Sequence, residues 1–218
     1  MLSIRLKAIL DYIEEHDHLA DIGCDHGYLL IAALQKGLKF VQGIDNKKGP
    51  LAQAKVNLAS FLGPQVILTL SDGLEDLDSK VDTVVISGMG GINIIDILSN
   101  NIHKAQKLRK IIVQPNTNIY ELRKYLNDNG FEFQSEKMVY EKKQYYEILV
   151  VKYTGKVNEL SENDFIFGPY LRKERSELFI KKWTLILNKL LKAYNPDEKQ
   201  EELAAKIEII RSELGGKK

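Results

Sequence analysis

The sequence predicts an α/β protein: a doubly wound sheet of seven strands, five of them parallel and closed by a terminal β-hairpin, followed by a C-terminal helical hairpin. Three observations carry this. Short β-branched runs alternate with helix-like segments over the first 130 residues, as a parallel sheet with helices on both faces requires. Three strand-like runs lead into an aspartate beside a turn, at Asp21, Asp45 and Asp72. After Gly130 the rhythm changes to two strand-like runs separated by only four residues.

The elements follow from periodicity and punctuation. Ser3–Glu15 reads as an amphipathic helix capped by Ser3, with Ile4, Ala8, Ile9 and Ile13 near helical spacing. Leu19–Ile22, Phe40–Ile44, Val66–Leu70, Val81–Ile86 and Lys110–Val113 are the parallel strands. Between them, Tyr28–Lys36 stops at Gly37, and Leu51–Leu62 stops at Gly63-Pro64. Ile92–Leu98 and Ile119–Asn129 follow the same logic, the latter ending at Gly130. Phe131–Tyr140 and Tyr145–Tyr153 flank Glu141-Lys142-Lys143-Gln144, which leaves no room for a crossover helix, so they pair antiparallel. A Rossmann-like sheet ending in such a hairpin departs from the dinucleotide-binding pattern, which continues in βα units. It resembles the sheet of a class I methyltransferase.

From Ser161 the character shifts. Leu171, Leu178, Trp183, Leu187, Leu190 and Tyr194 are expected along one long helix, with Trp183 and the leucines as packing residues. Asn195-Pro196-Asp197 breaks it, with Pro196 suited to the first turn of the next helix. Leu203, Ile207, Ile210 and Leu214 then recur at spacings of 4, 3 and 4, a heptad-like seam. The chain thus divides into residues 1–160 and a coiled-coil-like unit, 161–218, whose last residues from Gly215 are expected to fray.

Of 218 residues, 31 are basic and 30 acidic, so no global field advertises a nucleic-acid partner. The single cysteine, Cys24, excludes an internal disulfide and a cysteine zinc cluster. No apolar run approaches a membrane span and no signal-peptide pattern opens the chain, so a cytoplasmic protein without membrane or metal is expected.

The stretch Asp21-Ile22-Gly23-Cys24-Asp25-His26-Gly27-Tyr28 joins the first strand to its helix. Gly23 and Gly27 let the backbone approach a ligand. A dinucleotide fingerprint would have glycine at Asp25, whose carboxylate would repel a diphosphate. The same charge suits the sulfonium and ammonium groups of S-adenosyl-L-methionine. Asp45, 24 residues beyond Asp21, is placed to accept hydrogen bonds from ribose hydroxyls, with Asn46 beside it. Ser71, Asp72 and Gly73 follow the third strand, where they can meet an adenine. Gly88 and Met89, in Ser87-Gly88-Met89-Gly90-Gly91 after the fourth strand, complete the predicted cofactor set. Singly, Asp45 and Asp72 fit ordinary turns; together with Asp21 they reinforce one another. A helix-capping Asp25 in a cofactor-free loop is the competing reading.

Several stretches are similar to the bacterial tRNA (adenine-22, N1)-methyltransferase family. They are Leu2-Ser3-x-Arg5-Leu6, Ala20-Asp21-Ile22-Gly23-Cys24-Asp25-His26, Ser87-Gly88-Met89-Gly90-Gly91, Gln114-Pro115-Asn116 with Leu122-Arg123, and Tyr146-Glu147-Ile148-Leu149. Cys24 and Gly27 depart from it, standing where serine and alanine are usual. The resemblance implies methyl transfer from S-adenosyl-L-methionine, leaving S-adenosyl-L-homocysteine, to N1 of adenine 22 in the D-arm of tRNA. N1 already carries an in-plane lone pair, so positioning is the main task. Asp25 and His26, then Asn116, are the candidates to accept from the exocyclic amine and stabilise developing charge. Arg5, Lys47, Lys48, Arg172, Lys173, Arg175, Lys181 and Lys182 are candidate phosphate contacts. The helical tail fits an RNA clamp on a monomer or a dimer interface. A small-molecule methyltransferase and a non-catalytic binding module are the alternatives; an NAD-dependent enzyme is disfavoured by Asp25 and the hairpin.

Overall fold

The computed structural model describes residues 2–196 and 199–215. Five parallel strands are present: β1 (His18–Ile22), β2 (Phe40–Asp45), β3 (Val66–Leu70), β4 (Thr83–Gly90) and β5 (Lys110–Thr117). With the hairpin β6 (Phe131–Glu141) and β7 (Gln144–Tyr153) they form one sheet of order β3-β2-β1-β4-β5-β7-β6. The helices are α1 (Ile4–Leu10), α2 (Tyr28–Lys36), α3 (Lys48–Asn57), α4 (Gly91–Asn100), α5 (Ile102–Ala105) and α6 (Ile119–Asp128). Four more follow the sheet: α7 (Glu162–Phe167), α8 (Pro169–Glu174), α9 (Glu177–Ala193) and α10 (Glu201–Glu213).

Successive strand residues point to opposite faces, and each face has its own core. Ala20, Ile22, Val84, Ile86, Ile111 and Val113 pack with Ile94, Leu98, Leu122 and Leu126 of α4 and α6. Leu19, Val85 and Ile112 pack on the other face with Ile9, Leu29, Leu30 and Ala54 of α1 to α3. The chain order reverses direction between β1 and β4, which opens a crevice at the carboxyl ends of the strands.

Ser3 caps α1 as expected, accepting from Leu6 N at 3.1 Å, but the helix stops at Leu10. Ile13 is fully buried in the core after the two turn residues Asp11 and Tyr12, so its place on the apolar stripe reflects packing and not helix. The predicted helix Leu51–Leu62 begins earlier, at Lys48, and ends in a short 3₁₀ turn over Ala59–Phe61. Helix α5 was not anticipated.

The largest difference lies beyond Ser161. Two helices, α8 and α9, replace the long one expected over Leu171–Tyr194, and α7 precedes them: Ser161 and Asp164 form a capping box for α7, and Pro169 opens α8. Arg175, at φ 49°, turns the chain so that Ser176 caps α9. Pro196 lies in a turn, with α10 beginning five residues later at Glu201; Asp197 and residues 216–218 lie outside the described residues. The seam of α10 appears as read, with Ile207 and Ile210 buried and Leu203 and Leu214 half-buried. Trp183 packs on Phe167 at 4.5 Å between ring centroids, with Phe179, Leu171, Ile210 and Met138 of β6 around them.

Arg123 of α6 is fully buried between the sheet and these helices. Its Nε donates to Glu136 at 2.8 Å and its Nη2 to Glu147 at 2.5 Å, while Nη1 reaches Phe165 O at 3.3 Å. Glu136 also accepts from Tyr170 N at 2.9 Å, and Glu147 accepts from Lys182 Nζ. Among the described residues no helix is long and apolar enough to cross a membrane.

Candidate active site

A cleft of about 1070 Å³ lies along the carboxyl ends of β1 to β4. Between β1 and α2 the chain folds sharply, with Gly23 (φ 71°), Asp25 (φ 47°) and Gly27 (φ 71°) all left-handed within five residues. Gly23 N and Cys24 N both donate to Ile44 O, at 2.8 and 3.1 Å, which ties the turn to β2. A side chain at Gly23 would collide with the Met89 methyl as well as being strained at this φ.

Of the predicted cofactor residues, Asp21, Gly23, Asp25, Tyr28, Asp45, Asn46, Ser71, Asp72, Gly73, Gly88 and Met89 all line this cleft. Gly27 does not. It caps α2 facing α3, where a Cβ would sit 3.3 Å from Ala54 Cβ and Leu58 Cδ1, so its role is packing and turn geometry.

Asp21 is the centre of the electrostatics. Its carboxyl is 5 % exposed, and among the described residues no group hydrogen-bonds it. Burial, helped by the nearby Asp45 and Asp25 charges, pushes its pKa up to about 7, against the opposing pull of Arg5. Asp45 accepts from Lys47 N at 2.9 Å and more weakly from Asp25 N at 3.4 Å, which leaves carboxylate lone pairs free for a ligand. Among the described residues the Ser71 hydroxyl, buried in the cleft wall, has no protein partner. An acidic cleft holding an unpaired buried carboxyl and an orphaned hydroxyl fits a cationic, nucleoside-bearing ligand and disfavours a diphosphate.

Cys24 is 4 % exposed, and burial next to Asp21 and Asp45 pushes its thiol up to about 12. Its expected alkylation rate at pH 8 is therefore at least ~10-fold below that of an exposed thiol. Iodoacetamide labelling of native and urea-unfolded protein, followed by mass spectrometry, checks this.

Asp25 and His26 stand exposed at the rim, with Asp25 Oδ1 3.6 Å from His26 Nε2 and the His26 ring 5.6 Å from that of Tyr28. Asn116 does not line the cleft. Its amide donates to Gly88 O at 2.7 Å and accepts from Gln114 Nε2 at 3.1 Å, so it holds the Gly88 loop instead of facing a substrate.

Arg5 is also placed differently from expectation. It lines the cleft, donates to Gln114 Oε1 at 2.5 Å and lies 5.6 Å from the Tyr146 ring centre. Buried Gln114 accepts from Gly88 N at 3.2 Å as well, which makes it the hub joining α1, β4 and β5. Lys47 lines the cleft, and Lys48, Lys173 and Lys181 are exposed. Arg172 and Lys182 are instead spent internally: Arg172 pairs with Asp164 at 2.5 Å and Glu213 at 2.8 Å, and Lys182 with Glu147. Arg175 donates to Glu213 O at 2.7 Å while staying partly exposed.

The sequence reading overlooked one wall of the cleft, formed by Asn93, Asp96, Ile97 and Asn100 of α4. Their spacing of 3, 1 and 3 puts them on a single helix face, a signal visible in the sequence as a polar stripe after the glycine loop.

Strand order, terminal hairpin and acidic strand ends define a class I, S-adenosyl-L-methionine-dependent methyltransferase. The family described as tRNA (adenine(22)-N(1))-methyltransferase matches residues 19–216, and the chain belongs to it. A curated Bacillus subtilis protein of that description is 30% identical over 96% of this chain and 95% of its own length. A Streptococcus pneumoniae structure, of a putative tRNA (m1A22) methyltransferase in complex with S-adenosyl-L-methionine, superposes with a TM-score of 0.90. It is 33% identical and covers 98% of this chain and 100% of that one. M. capricolum TrmK, solved with S-adenosyl-homocysteine, gives a TM-score of 0.86 at 30% identity, covering 99% and 98% of the two chains.

Proposed function

We propose that the chain methylates N1 of adenine 22 in tRNA, the activity of its family, with the residues of the cleft in the following roles. The observation that carries the cofactor assignment is Asp21: a buried carboxyl with no protein donor at the carboxyl edge of β1. It receives the ammonium of S-adenosyl-L-methionine. Asp45 accepts from the ribose hydroxyls, and Ser71, Asp72 and Gly73 border the adenine. When bound, the cofactor supplies an electrophilic methyl on its sulfonium sulfur.

The target adenine must leave its stack, at a cost of a few kcal/mol, to bring N1 to the cleft. Exposed Tyr28 and His26 offer it a ring surface at the rim, and Asp25 an acceptor for its N6. Because N1 needs no base, these groups act by orientation and by stabilising positive charge as it grows on the ring. Gln114 and Asn116 position the Gly88 loop that closes this side. Exposed Lys47, Lys48, Lys173, Arg175 and Lys181 remain the phosphate contacts. We place the enzyme in the cytoplasm, acting as a monomer.

Incubation of unmodified tRNA with labelled S-adenosyl-L-methionine, followed by nucleoside mass spectrometry, tests this. The expected product is 1-methyladenosine, lost when adenine 22 is changed to guanine. No incorporation by protein that still binds the cofactor would overturn the tRNA assignment.

A further inference from the structure

We propose that the tip of the β6–β7 hairpin is an RNA-docking element on the target side of the cleft, with Lys142 and Lys143 on tRNA phosphates. This deepens the tRNA reading above and rests on it. Four observations support it.

Position comes first. β7 pairs antiparallel with β5, Val113 opposite Leu149, so the start of β7 lies beyond the carboxyl end of β5, at the edge where the cleft opens. Second, the tip is joined to the cleft wall. Glu141 accepts from Ile4 N at 2.8 Å at the start of α1, and Arg5, one residue on, packs over Tyr146 while lining the cleft. Third, the chemistry suits nucleic acid. Both lysines are exposed, and among the described residues neither makes a hydrogen bond or a close ion pair; Lys142 acts on Glu141 through charge alone. Tyr140 beside them is 43% exposed, its ring 4.7 Å from that of Tyr145. Basic side chains beside an exposed ring are what a phosphate backbone and an unstacked base engage.

The fourth observation is the backbone. Glu141 pairs with Gln144, leaving a two-residue loop in which Lys142 (φ 49°) and Lys143 (φ 65°) are both left-handed. This is the type I′ geometry that Asn-Gly fills best and lysine fills poorly. Turn stability alone would select against two lysines here. Among the described residues neither ammonium has an intramolecular partner that would compensate the strain.

The test exploits that conflict. Replacing the pair by Lys142→Asn with Lys143→Gly improves the turn while removing both charges, and Lys142→Glu with Lys143→Glu reverses them. The Asn-Gly protein is expected to melt a few degrees higher than wild type and to bind S-adenosyl-L-methionine as tightly. Its KM for tRNA should rise about tenfold, and the slope of log affinity against log salt should fall by about 1.5, the share of two phosphate contacts. The double glutamate protein should bind tRNA more weakly still. An Asn-Gly protein with wild-type tRNA affinity and salt slope overturns the proposal. A wild-type enzyme that leaves tRNA unmethylated overturns instead the reading on which it rests.

Discussion

Asp21→Asn is expected to weaken S-adenosyl-L-methionine binding roughly 10- to 100-fold, the worth of a charge-assisted hydrogen bond to a buried carboxylate. It is also expected to make the ligand-free protein more stable. Both effects have one cause. The Asp21 carboxyl lies buried with no donor among the described residues, and burial lifts its pKa from 3.8 to about 7. Between those two values the folded protein keeps a proton that the unfolded chain has lost. Stability from this group therefore falls as pH rises from about 4 to about 7, and stays level above. Asparagine removes the dependence, so the variant should exceed wild type by up to roughly 4 kcal/mol at pH 8 and match it near pH 4. Urea unfolding at both pH values, beside calorimetric titration with the cofactor, checks the pair.

A cationic ligand reverses the balance at Asp21, because an ammonium beside the carboxyl favours its ionised form. Below pH 7 binding must expel the carboxyl proton. Wild-type affinity should then rise with pH towards about 7, and titration at pH 6 in buffers of different ionisation enthalpy should show release of up to one proton. Asp21→Asn should show neither. If it binds the cofactor with wild-type affinity at pH 7.5, Asp21 does not hold the ammonium.

The strands and the cofactor turn were legible in the sequence because they rest on local rules. A buried parallel strand needs a β-branched run, and the Asp21–Gly27 turn needs residues that accept left-handed backbone. The three acidic strand ends fell into one cleft because the topology of the sheet brings carboxyl ends together. What escaped was set by distant partners. Arg172 and Lys182 read as free cations because nothing near them in sequence reveals Glu213 or Glu147. Asn116 read as substrate-facing, yet Gly88, 28 residues away, takes its amide. Ile13 kept a helical spacing outside any helix because the core, and not the helix, selects an apolar residue there. The break at Arg175 was missed for another reason: an arginine in left-handed backbone runs against its own preference, and only the cap at Ser176 hinted at it.

Arg123→Met should destabilise the fold by about 3–5 kcal/mol, because among the described residues the guanidinium is the one cation that touches both Glu136 and Glu147. Among the described residues Glu147 would keep Lys182, whereas buried Glu136 would retain only backbone donors, Tyr170 N and Leu171 N. The loss should therefore appear first where α8 meets β6, as faster amide exchange over Tyr170 and Leu171. It should also depend on pH in a stated direction. Burial already holds Glu136 above its ordinary range, and without Arg123 the one nearby cation opposing this is gone, so the variant's deficit is greatest at neutral pH. As pH falls through that raised value Glu136 takes up a proton in the folded state and the deficit shrinks. Lys182→Met is expected to cost less, since Glu147 stays paired to Arg123. Adding Glu136→Met to Arg123→Met should recover part of the stability, because the apolar pair leaves no uncompensated charge at that site. Urea titrations of the three variants at pH 5 and 7.5 separate these outcomes. A double variant no more stable than Arg123→Met would show that the methyltransferase sheet and the C-terminal helices are joined chiefly by the geometry of the arginine, and not by the neutralising of Glu136.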